Sequence, residues 1–127
     1  MTTPDERTLH FALGPVQSFF AQSRRTRDLW SGSFLVSYLA ACAVDAFEEA
    51  GARVVLPDVA DDRLVAAVRA VRREEKKTVE NPPEIGSVPN QLRIEADDPA
   101  GAARAAERRV MDAWQRITDA AWDRIAL

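Results

Sequence analysis

The sequence predicts an α+β fold in which helices cover a single sheet, and three observations lead there. Short apolar runs occur at 8–13, 53–57 and 91–96, the first and last alternating with period two and the middle one β-branched. Segments of helical spacing separate them, and a long helical stripe follows the last. The resulting order is β-α-α-β-α-β-α, an alternation that buries one sheet face under helices.

Each element has a local reason. Leu9, Phe11 and Leu13 alternate with Thr8, His10 and Ala12, a strand that Gly14-Pro15 closes. Pro15 suits a first helical turn, and Val16, Phe19 and Phe20 share a face at i, i+3, i+4. Ser31-Gly32-Ser33 offers cap chemistry for a second helix carrying Leu35, Leu39, Cys42, Ala43 and Ala46, stopped by Gly51. The β-branched run RVVLP at 53–57 reads as a strand. Asp61 or Asp62 can cap a third helix reaching about Lys77, with Leu64, Val68 and Val71 inward and a solvated RREEKK run at its end. Residues 78–88, with Pro82-Pro83 and Gly86, form a loop inside a single domain spanning 1–127.

Leu92, Ile94 and Ala96 then alternate with Gln91, Arg93 and Glu95 as a strand. Asp97 or Asp98 before Pro99 opens the long helix, where Ala103, Ala106, Val110, Trp114, Ile117, Ala121 and Ile125 step by three or four. A ferredoxin-like β-α-β-β-α-β arrangement fits if the third helix is inserted between the middle strands and the last strand is absent. The first strand is then a sheet edge carrying Leu9, Phe11 and Leu13, and self-association is expected.

Composition narrows the function classes. With 127 residues, 46% hydrophobic and 29% charged, the chain fits one soluble domain. A net charge of −3 argues against a protein that coats nucleic acid, so any such contact has to be local. Cys42 is the only cysteine, which removes a disulfide framework and a cysteine zinc site and makes a reduced cytoplasm the default. MTTPDERT has no apolar signal core, and no run approaches the roughly 18 apolar residues of a membrane span.

The available chemistry is sparse. His10 is the only histidine and has no serine or cysteine elbow near it, so a nucleophile triad is excluded. Asp61-Asp62 and Asp97-Asp98 could hold magnesium, but each pair precedes a helix, where capping is the simpler use. Neither GxxxxGK[ST] nor GxGxxG occurs. Trp114 and Trp122 could stack on bases, although burial along the core stripe is the expected role. Arg24, Arg25 and Arg27 precede Ser31-Gly32-Ser33, where a helix start would present backbone N–H groups to an anion. The plainer reading is that a serine caps, Trp30 staples the turn and the arginines are solvated.

The stretch LHFALGPVQSFFAQSRRTRDLWSGSFLVSYLA, with its G-P-V-Q and R-x-x-R-D-L-W-x-G-S, resembles the large signature subunit of type III CRISPR effector complexes of the Cmr type. SVPNQL at 87–92, followed by a strand and a long helix, resembles a later Pro-Asn stretch of that family. The resemblance implies a palm or nucleotide-cyclase-like domain, the first of two. In the family the pair makes cyclic oligoadenylate from ATP, and the second domain carries a Gly-Gly-Asp-Asp metal motif that this sequence lacks.

An active palm keeps a metal-binding carboxylate at the end of its first strand, where this chain reads Leu13-Gly14-Pro15. The resemblance therefore implies a catalytically silent palm with no metal of its own, completing an ATP pocket at the interface with a second palm. It places the nucleotide contact on Ser31, Gly32 and Ser33, with Gln17, Arg24 and Arg27 beside them. The implied partners are the second palm or remainder of the large subunit, other effector-complex subunits and, indirectly, guide and target RNA; no membrane is implied. Two rival readings stand beside it. One is a small interaction module whose arginines bind an acidic partner or guide RNA backbone without nucleotide. The other is a free-standing homodimeric nucleotidyl enzyme, which needs carboxylates that the strand ends do not show.

Overall fold

Alternation of apolar and polar residues builds the sheet. In a computed structural model of the chain, which describes residues 7–14, 26–72 and 86–125, three strands form: β1 (Thr8–Ala12), β2 (Arg53–Leu56) and β3 (Gln91–Glu95). Three helices accompany them: α1 (Thr26–Glu49), α2 (Arg63–Arg72) and α3 (Pro99–Ile125). β3 lies in the middle, antiparallel to both neighbours, so the order is β1-β3-β2. Leu9 stands opposite Ile94, Phe11 opposite Leu92, and Val54 opposite Ile94 from the other side. This register puts all five side chains in or against the core, while His10 and Arg93 emerge on the outward face.

α1 lies across the inward face and is the centre of the core. From Ala40 to Phe47 every residue is buried, because the helix meets α2, α3 and β2 on different sides. The Phe47 ring meets Phe11 edge to face, with centroids 5.3 Å apart and planes at 85°. Gly51, at φ +83°, ends α1: its N–H reaches Glu48 O (3.1 Å) and the Ala52 N–H reaches Phe47 O (2.9 Å), the paired closure that a left-handed residue permits.

The aspartates before the other helices are caps. Asp62 Oδ1 accepts the Val65 N–H at 2.9 Å and Asp98 Oδ1 accepts the Gly101 N–H at 3.1 Å, satisfying donors that a first helical turn leaves free.

The predicted short helix with Val16, Phe19 and Phe20 lies outside the described residues, as do residues 73–77 of the third predicted helix. Three other expectations change. The second predicted helix does not begin at Ser31-Gly32-Ser33, since α1 is already helical at Thr26. The stripe of α3 is also displaced: Ala102, Ala106, Val110 and Ala113 are buried, whereas Trp114 is 39% and Trp122 67% exposed. Val71 on α2 is likewise exposed, and Val65 takes the inward place.

Candidate functional site

The end of β1 is built from three pieces of chain distant in sequence. The Leu13 N–H donates to Asn90 O at 2.9 Å, and Asn90 Nδ2 returns a bond to Leu13 O at 3.4 Å. The chain before Asn90 is fastened to α1 through Ser37. Its Oγ donates to Val88 O at 2.8 Å and accepts the Val88 N–H at 2.7 Å, so one hydroxyl satisfies both backbone groups of a buried residue. Ser37 is itself only 3% exposed.

Gly86 makes this approach possible. A Cβ there would stand 2.8 Å from Ser37 Cβ and 3.3 Å from Phe34 Cα, so a side chain would push the segment off the helix. The segments 8–14 and 87–92 are thus joined through α1 into one corner. Sequence reading singled out both segments but missed Ser37 and Asn90 as the residues that join them. The available signal was the short SVPNQ stretch between a glycine and a strand.

Ser31, Gly32, Ser33 and Arg27 lie in α1, with Ser33 one helical turn before Ser37. Gln17 and Arg24 lie outside the described residues. Because α1 is continuous through 31–33, the backbone N–H groups there point to carbonyls one turn earlier and are not free donors for an anion. Ser31-Gly32-Ser33 is therefore not a helix start. The local Ser-Gly-Ser cap signal is overridden, since a glycine inside a helix costs only about 1 kcal/mol relative to alanine.

A second constellation ties the helices together. Asp45 on α1 is fully buried, and its Oδ2 takes the Arg72 Nε–H and, at 2.8 Å, Arg109 Nη1. Glu49 receives the other ends of both guanidinium groups at 2.7 and 3.1 Å. The hydrogen bond to Asp45 holds the Arg72 pKa above its usual value. Asp45 Oδ1 is buried with no partner among the described residues. Beside this network a cleft of about 680 Å³ opens between the helices, with Tyr38, Cys42 and Arg116 among its lining residues. Burial is the main cause that raises the pKa of Tyr38 and of Cys42, so both stay protonated at neutral pH.

A third concavity, about 530 Å³, lies on the sheet at His10, Gln91 and Arg93. Among the described residues no group of three or more His, Cys, Asp or Glu is placed to hold a metal ion. No helix among them is long and apolar enough to cross a membrane.

No curated protein and no solved structure matches the chain. A family model does, over residues 8–119, a span that takes in β1, the Ser37 corner and most of α3. The chain accordingly belongs to the family described as CRISPR-associated protein Cmr2, N-terminal, the N-terminal region of a large subunit of multi-subunit type III CRISPR effector complexes.

Proposed function

We propose that this chain is a non-catalytic, palm-like first domain that forms one wall of an ATP pocket with a second palm, in support of cyclic oligoadenylate synthesis in antiviral defence, and docks neighbouring subunits in the cytoplasm. The observation that carries the reading is the corner at the end of β1, where the two segments resembling the family are hydrogen-bonded to each other and to α1. Strand order supports it as well. A middle β3 antiparallel to both β1 and β2 is the split arrangement of the first three strands of a ferredoxin-like sheet. Where a metal-binding palm needs a carboxylate, β1 runs into Leu13-Gly14, so metal-assisted chemistry falls to the partner palm.

The nucleotide contact remains assigned to Ser31, Gly32 and Ser33, with Gln17, Arg24 and Arg27. With α1 continuous, it works through hydroxyl and guanidinium side chains and through close approach at Gly32. The test is ATP affinity, by calorimetry, of the chain joined with its second palm. Ser31→Ala/Ser33→Ala is expected to weaken binding about tenfold, the cost of losing hydrogen bonds to a charged ligand. Unchanged affinity overturns the assignment. Strongly salt-dependent RNA binding with no effect of ATP would instead identify an interaction module.

A further inference from the structure

The outward face of the sheet carries a chemistry that neither the ATP reading nor the fold requires. His10 on β1 stands directly across from Arg93 on β3, and Leu56 on β2 flanks Arg93 from the other side. One row across three strands thus presents an imidazole, a guanidinium and an aliphatic group, all exposed, with Leu56 at 57%. Gln91, Pro57 and Pro89 complete the rim of the depression of about 530 Å³.

Charge selects the ligand. The chain has 20 acidic and 17 basic residues, yet among the described residues no carboxylate lines this depression. Glu95, farther along β3, is occupied by Arg53 at 2.6 Å. Arg93 makes no ion pair among the described residues, so its cation is available to a ligand. Planar cationic and aromatic groups beside an amide and small apolar walls match a planar, hydrogen-bonding ring attached to an anion. Nucleobases in a single strand meet that description, because histidine rings and arginine planes stack on bases that no duplex partner covers.

We propose that the outward sheet face binds an unstacked base of a single-stranded nucleic acid, with His10 and Arg93 as stacking planes and Gln91 bonding to the base edge. One unpaired arginine neutralises about one phosphate, so the contact is local and weakly salt-dependent, in keeping with an acidic chain. His10, Gln91 and Arg93 are not among the residues assigned to ATP, so either reading can fail alone.

The test is fluorescence anisotropy of a labelled, short oligoadenylate RNA titrated with the intact chain. Saturable binding is expected, weakened about tenfold by His10→Ala and by Arg93→Ala, the scale of one lost stacking contact. Arg93→Lys, which keeps the charge but loses the plane, is expected to fall with Arg93→Ala, whereas His10→Phe and the control Arg53→Ala retain binding. Absence of saturable binding overturns the proposal. So does equal competition by an RNA duplex, or an Arg93→Lys protein that binds like wild type.

Discussion

Ser37 shows how much one hydroxyl can decide. Among the described residues it is the sole side chain hydrogen-bonded to Val88, and it satisfies both the N–H and the carbonyl of that residue. Ser37→Ala leaves two buried backbone groups unpaired, so a loss of about 1 to 3 kcal/mol in unfolding free energy is expected, measured by urea denaturation. A change within error would mean that the segment 86–90 is held by other contacts. Asp45 is the larger case. Its carboxylate lies between Arg72 and Arg109, whose side chains are only 28% and 25% exposed, and Asp45→Ala would leave both cations partly buried with only the half-exposed Glu49 between them. The same titration is expected to show a loss of about 3 to 5 kcal/mol, as for other broken buried pairs. Arg53→Ala serves as the contrast, because an exposed pair contributes less than about 1 kcal/mol.

At the scale of elements, period and punctuation were readable wherever the cause is local. Leu9, Phe11, Leu92 and Ile94 face inward as their alternation requires, Gly51 ends α1, and Asp62 and Asp98 cap. The start of α1 was not readable, because Ser31-Gly32-Ser33 is a good local cap, yet a helix continues through such a glycine at a cost of only about 1 kcal/mol. Trp122 was misplaced for a geometric reason. α3 has 27 residues, about 40 Å of helix, whereas five-residue strands span about 17 Å, so the apolar stripe outruns the sheet that could bury it. The corner itself was half readable: periodicity shows which residues of α1 face inward, but not that Ser37 meets Val88 across 51 residues of sequence. β1 carries its own prediction. Among the described residues it pairs with β3 alone, and no charged residue lies within it to discourage a further strand. Sedimentation analysis is expected to show association as concentration rises; a monomer at high concentration contradicts it.

At the scale of the whole molecule, α1 is the frame on which the account rests. It carries the core from Ala40 to Phe47, the ion-pair hub at Asp45, the Ser37 clamp and, in its first turns, the residues assigned to nucleotide. Its C-terminal half ties the helices together through Asp45, and its first turns carry the proposed nucleotide contact. The measurement that tests this most directly is photolabelling of the two-palm assembly with azido-ATP, followed by peptide mapping. The account predicts label in the segment 28–53, suppressed by excess ATP and by Ser31→Ala/Ser33→Ala. Label confined to the second palm, with none on this chain, would contradict it.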